Sequence, residues 1–216
     1  AWTENGLREG GVTLQEGKLH AALGEPGEAL REAASAISES IGAKAPFHSE
    51  ISLAVRSWIS ELGRRLERGA LLLIDYGLPR HELYHPSRDG GSIRCHYRHH
   101  VHDDPFWLPG LSDITSHVDF TAVAEAGFAQ GLAVAGYTTQ AAFLMNCGIG
   151  ELLAQIPQVG AGDTAITMTP DAGYRARNSV MRLISPNEMG ELFKVIALTR
   201  GIKPHLLGFA HGDRVH

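Results

Sequence analysis

Apolar residues along this chain change their spacing several times, and each change predicts an element. From Leu7 to Leu23, two alternating runs flank Gln15-Glu16-Gly17-Lys18. Glycine supplies the positive φ of a tight turn, so this stretch predicts a small antiparallel ribbon. Residues 24–48 carry an uneven helical pattern around Ala29–Ser40 and then Pro46, which predicts a short helix and a loop. Ile51, Val55, Trp58, Ile59, Leu62 and Leu66 then recur at steps of three and four. That spacing predicts a helix capped by Ser49 and ended at Gly69 behind Arg64, Arg65 and Arg68. Residues 70–77, ALLLIDYG, form a short uninterrupted apolar run, expected as a strand buried on both faces of a doubly wound sheet.

Downstream, residues 118–131 predict a helix with Phe120, Val123, Ala124 and Phe128 inward, and 132–140 a strand. A helix over 141–156, a linker over 157–171, a helix over Arg175–Ile184 and a strand over Leu192–Thr199 follow, and residues 201–216 read as a loose tail. Only 78–118 lacks a regular apolar period. A loop that long inside a compact domain is uncommon unless it is functional.

Composition narrows the class. With 44% hydrophobic and 20% charged residues the chain has material for a folded core. A net charge of -5 disfavours nucleic acid as a partner and suits a basic peptide better. No apolar run reaches the roughly 18–20 residues of a membrane span, and the opening AWTENGLREGG lacks the order of a signal peptide. The location expected from these features is cytoplasmic or organellar. Cys95 and Cys147 match neither a paired zinc motif nor a disulfide scaffold, which suggests two buried thiols. The start at Ala1, inside what reads as the middle of a fold, suggests a fragment.

Seven of the twelve histidines (His81, His85, His96, His99, His100, His102 and His117) crowd the long loop with Asp103, Asp104, Asp113 and Asp119. Imidazoles and carboxylates at short spacing can converge on a metal. No His-x-x-x-His pair falls on a predicted helix face, so no metal site is assigned. A second reading is acceptor recognition and proton handling at the carboxyl end of strand 70–76, where open α/β sheets bind ligands. There carboxylates can hold a guanidinium in a fork and a His can take a proton. In a third, these groups hydrogen-bond among themselves and fix the loop. Serines lack the Gly-x-Ser-x-Gly elbow and neither cysteine sits in a nucleophile motif, which disfavours a hydrolase. Gly160-Ala161-Gly162 follows Pro157 instead of a strand and reads as linker.

The motifs HDDPF (102–106), DITSHVDF (113–120) and MGELFKV (189–195), with the run from Gly69 and GYTTQAAFLMNCGI, resemble the C-terminal half of the MidA-like methyltransferases over roughly residues 49–201. That resemblance implies an α/β fold. It would be the C-terminal part of a Rossmann-like class I methyltransferase sheet, with an N-terminal β-hairpin and a long inserted loop. The sheet would have seven strands, the last reversed: 70–76 as the fifth, 132–138 as the sixth and 191–199 as the seventh. The domains expected are a hairpin and connecting segment at 1–48, the methyltransferase half at 49–200 and a tail at 201–216. The family is associated with S-adenosylmethionine and with methylation of an arginine on a respiratory complex I subunit. The cofactor site would lie mostly upstream of Ala1, with no cofactor-binding residue in this chain, which is therefore expected to be inactive alone.

For an arginine acceptor, paired carboxylates fit best. Asp103 and Asp104 are the candidates for the guanidinium, His102 and His117 for proton or hydrogen-bond exchange, and Asp119 for support of His117. Glu50, Tyr97 and Trp107 are candidates for substrate binding. Each has a structural alternative: Asp119 as a helix cap, Asp103 and Asp104 as loop stabilisers, Tyr97 and Trp107 as packing, Glu50 as a cap. Rival functions are a non-catalytic assembly or binding module, and a metal-dependent hydrolase. An open sheet edge would expose backbone donors and apolar surface, so the chain alone is expected to be unstable or a homo-oligomer.

Overall fold

The computed structural model describes residues 1–42, 45–156, 170–202 and 206–215, and the linker expected at 157–171, with Gly160–Gly162, falls almost wholly outside them. The chain divides into two compact units, residues 1–59 with 77–126 and residues 60–76 with 127–216.

The first unit opens with strands β1 (Trp2–Thr3) and β2 (Gly6–Leu7), paired antiparallel, then β3 (Glu9–Gln15) and β4 (Lys18–Gly24). Glu16 and Gly17 turn β3 into β4 with φ of 50° and 76°, as the sequence predicts. Helix α1 (Glu28–Ile41) stops where Gly42 enters the left-handed region and its N–H reaches Ser38 O. Its Ala34 and Ile37, one turn apart, face inward. Ile37 joins Phe47, Leu83 and Tyr84 in a buried cluster covered by Trp2, Ile41, Ile51 and Leu78.

Helix α2 (Leu53–Arg65) begins later than expected, so Ser49 lies outside it, and Trp58 is exposed while Ile59 is buried. Strand β5 (Gly69–Leu78) ends in this unit, where Gly77 and Leu78 pair in parallel with Val118 and Asp119 of β9 (Val118–Asp119). Gly77 is required there, because a Cβ would run into the Val118 backbone.

The segment 78–118 is more ordered than its lack of apolar period predicts. It holds α3 (Arg80–Leu83) and a three-stranded antiparallel sheet of β6 (Arg94–Tyr97), β7 (His100–His102) and β8 (Asp113–Thr115), with β6 in the middle. Arg98 and His99 both take positive φ in the β6–β7 turn, without the Gly or Asn that signals such a turn in sequence. Helix α4 (Phe120–Ala129) buries Phe120 and Val123, but Phe128 is exposed.

In the second unit β10 (Ala133–Thr139) leads into α5 (Gln140–Asn146), whose start Thr139 Oγ1 caps by accepting from Ala142 N. The single helix expected over 141–156 is split: Gly148, in the left-handed region, separates α5 from α6 (Ile149–Gln155). Helix α7 (Pro170–Ile184) starts at a proline, which suits the first helical position. Helix α8 (Met189–Leu192) then precedes β11 (Phe193–Arg200).

Strand β11 lies between β10 and β5 and runs antiparallel to both, from Phe193 opposite Tyr76 to Arg200 opposite Gly69. Six consecutive residues of β11 are buried, whereas β5 alternates and leaves Leu72 and Ile74 half exposed. The strand buried on both faces is thus β11 and not 70–77. The C-terminal stretch is not loose in its described part. Phe209 is buried against Val195 and Ala197, Tyr137 N donates to Asp213 Oδ1 at 2.9 Å, and Arg214 N donates to Tyr137 O at 2.7 Å. Cys95 is buried, but Cys147 is exposed, contrary to the expectation of two buried thiols. No described helix is long and apolar enough to cross a membrane.

Candidate functional site

The eight sequence candidates separate into two groups, both within the first unit. One group surrounds Glu50, in the segment joining α1 to α2. Glu50 Oε2 accepts from Ser92 N at 2.8 Å and from Ser92 Oγ at 3.1 Å, and Oε1 from Ile93 N at 3.4 Å. A carboxylate has about four lone-pair sites, so three donors fix its orientation and leave acceptor capacity for a ligand. Gly91 enables this seat: it has φ of 78°, and a Cβ there would collide with the Glu50 carboxylate. His117 joins through the same serine, its backbone N donating to Ser92 Oγ at 2.9 Å. Tyr84 closes the group, its hydroxyl donating to Glu50 O at 3.2 Å. Burial holds the Tyr84 phenol far above its ordinary pKa, so it remains a neutral donor.

Glu50, His117, Asp119, Tyr84 and Arg56 line one cavity of about 30 Å³. Glu50 also lines a wider cavity of about 380 Å³, with Trp2, His48, Ser49 and Ile93. The hydrogen bonds of Asp119 run to Ala122 N at 3.0 Å, capping α4, and to Arg80 Nε at 3.3 Å.

Arg80 was not among the candidates, yet it organises this side of the unit. Its side chain is 9% exposed, and its two terminal nitrogens donate to Glu125 Oε1 and Oε2 at 2.8 and 2.6 Å in a bidentate pair. Glu125 Oε2 also accepts from Arg56 at 2.7 Å. The hydrogen bonds that Arg80 donates to Glu125 hold the Glu125 carboxyl below its ordinary pKa and raise Arg80 above its own. A signal was available: Glu125 is the only charged residue in the apolar helix FTAVAEAGFA, and such a residue usually has a partner.

The second group sits on the three-stranded sheet and its turn. Trp107 packs edge-on against Tyr97 at 5.6 Å and against His102 at 4.8 Å between ring centres. His102 Nε2 lies 3.3 Å from Ser112 Oγ, while its Nδ1 is buried with no partner among the described residues. A proton on Nδ1 would be orphaned, so the arrangement favours the Nε2–H tautomer donating to Ser112. Asp103 is exposed and pairs with Arg94 Nε at 3.5 Å. Asp104 accepts from Phe106 N at 2.9 Å, shaping its own turn. The two aspartates therefore engage different partners. Among the described residues, no group of three or more His, Cys, Asp or Glu is placed to hold a metal ion.

The sheet of this mixed α/β chain carries β11 reversed between the two parallel strands β10 and β5. The family model of S-adenosyl-L-methionine-dependent methyltransferases matches residues 1–138. The chain belongs to this family. The curated protein arginine methyltransferase NDUFAF7, mitochondrial, of Danio rerio is 28% identical over 155 residues, which is 70% of this chain and 32% of that protein. Two crystal structures from Burkholderia thailandensis superpose on the whole chain with a TM-score of 0.86. One is an uncharacterised protein, 41% identical, and the other, 42% identical, was solved bound to S-adenosyl-homocysteine. The chain covers 55% and 53% of those two, so it spans about half their length.

A site for S-adenosylmethionine needs backbone donors from a glycine-rich turn after a strand and a carboxylate for the ribose. Gly77, at the end of β5, does not offer such a turn, because it is packed on the Val118 backbone. What these residues do supply is a fixed carboxylate beside a histidine and a buried ion network.

Proposed function

We propose that this chain is the acceptor-recognition half of an S-adenosylmethionine-dependent protein arginine methyltransferase whose cofactor is held mostly by residues outside it. The observation that carries this reading is the superposition of the whole chain, at 42% identity, on a protein crystallised with S-adenosyl-homocysteine. The zebrafish relative supports arginine as the acceptor, and the resemblance to the MidA-like family supports a subunit of respiratory complex I as the protein that carries it.

Methyl transfer requires mainly that the acceptor nitrogen be aligned and water excluded. In this reading Glu50 orients the guanidinium through its remaining lone pairs, with His117 beside it. The wider cavity beside Glu50, about 380 Å³, has room for the guanidinium. Asp119 acts through Arg80 and the α4 cap and is a positioning residue. Tyr97, His102, Asp103, Asp104 and Trp107 form a separate surface for the flanking acceptor segment.

The test is transfer of labelled methyl from S-adenosylmethionine to complex I subunits, using the chain extended to the length of the Burkholderia relatives. Label on arginine, reduced at least about tenfold by Glu50→Gln, is expected, equivalent to about 1.4 kcal/mol of transition-state stabilisation. Label on other residues would remove the arginine assignment, and no effect of Glu50→Gln would remove the role given to Glu50.

A further inference from the structure

The antiparallel pairing of β6 with β8 runs from His96 opposite Asp113 to Arg94 opposite Thr115 and ends there. Carried on by two residues, the same register sets Ser92 opposite His117. The Ser92 amide does not bond across to that strand, because it donates to Glu50 Oε2 at 2.8 Å. The link across is made by the Ser92 side chain instead, with the His117 amide donating to Ser92 Oγ at 2.9 Å. That hydroxyl has one proton of its own, and Glu50 Oε2 lies 3.1 Å away to accept it. A backbone N–H only donates and a carboxylate only accepts, so the relay has one direction, from the His117 amide through the Ser92 hydroxyl to Glu50. Hydrogen bonds in such a chain polarise and strengthen one another.

We propose that Ser92 is a positioning residue for methyl transfer, its hydroxyl tying the orientation of the Glu50 carboxylate to the segment that carries His117. The proposal rests on the reading of Glu50 as the group that orients the acceptor guanidinium. The Glu50 main chain is held separately, by the Tyr84 hydroxyl on its carbonyl, so Ser92 acts on the carboxylate itself. Of the three donors to that carboxylate, two are the amides of Ser92 and Ile93 and move with their own loop. The hydroxyl is the donor that is also bonded to a second segment, between β8 and β9. A serine is needed because one side chain must accept from an amide and donate to a carboxylate at once. Alanine removes both bonds and leaves the two amides in place, whereas threonine keeps the hydroxyl.

Two measurements test this. On this chain alone, Ser92→Ala speeds amide exchange at His117 about fivefold, the worth of one hydrogen bond, and Ser92→Thr restores it. Glu50→Ala speeds the same amide as well, through the released hydroxyl, and an unchanged His117 amide in that variant overturns the coupling. On the chain extended to the length of the Burkholderia relatives, the acceptor is the complex I subunit that takes label. There Ser92→Ala lowers kcat/KM for the acceptor about tenfold and leaves KM for S-adenosylmethionine within about twofold, and Ser92→Thr recovers the loss. In a Glu50→Ala background the same substitution costs less than about twofold, because the group it positions is gone. A full further loss there shows that the serine acts elsewhere and overturns the proposal. Loss on Glu50→Gln without loss on Ser92→Ala brings down the proposal alone. No labelled subunit, or no loss on Glu50→Gln, brings down the reading beneath it and the proposal with it.

Discussion

Replacing Arg80 with methionine lowers the stability of the first unit by about 3 kcal/mol, the low end of what removing one partner of a buried ion pair costs. Asp119, whose side chain is 11% exposed, loses its guanidinium partner and keeps only the Ala122 amide, while Glu125, 45% exposed, turns to water and softens the loss. Lysine restores the charge without the bidentate fork and recovers only part. The effect depends on pH in a defined direction. Glu125 has a depressed folded-state pKa, so its contribution is present above the ordinary glutamate value and is lost as pH falls through the folded value. Arg80 stays charged across this range, its already high pKa being raised further. The wild-type chain therefore loses more stability than Arg80→Met between about pH 6 and pH 3. Trp2, Trp58 and Trp107 all belong to the first unit, so urea unfolding followed by tryptophan fluorescence reads it selectively. Equal stability of the two proteins at pH 7 would show that the network is not structural.

The second large effect is expected in the reversed strand. Leu198 is fully buried in the middle of β11, between Leu71 of β5 and Val134 of β10. Its side chain fills the space above Gly127, where a Cβ would come within 2.7 Å of Leu198 Cδ1. Leu198→Ala empties that space against backbone with little freedom to collapse, at a cost of about 3 kcal/mol or more. Because the second unit has no tryptophan, amide exchange in β11 is the suitable readout. Faster exchange confined to β10, β11 and residues 69–76 is the expected pattern, and a loss below about 1 kcal/mol would contradict the packing described.

Much of the fold is legible in the sequence because it rests on period and on glycine. The Glu16-Gly17 turn, a helix around Ala29–Ser40, the strand over 69–78 and, apart from the break at Gly148 and the short α8, the order of described helices and strands after residue 118 follow from apolar spacing and positive φ. Covering is not legible: the runs in β5 and β11 look alike, and only the neighbours make one alternate and the other buried. The sheet of β6, β7 and β8 escaped because its strands are three or four residues long and polar, and its turn uses Arg98 and His99. In the candidate site, Glu50 and His117 stand out in the sequence as acidic and imidazole groups near motifs, but what links them, Ser92 and the left-handed Gly91, is a product of tertiary folding. Arg80 itself carries no sequence pattern, because a single arginine after a proline has none until Asp119 and Glu125 are brought to it.

Calorimetric titration of S-adenosyl-homocysteine into this chain, and into the chain extended to the length of the Burkholderia relatives, tests the methyltransferase reading most directly. Binding by the extended protein and none by the chain alone is the expected result. Binding by the chain alone would contradict the assignment of the cofactor to residues outside it, and binding by neither would leave an assembly module in place of an enzyme.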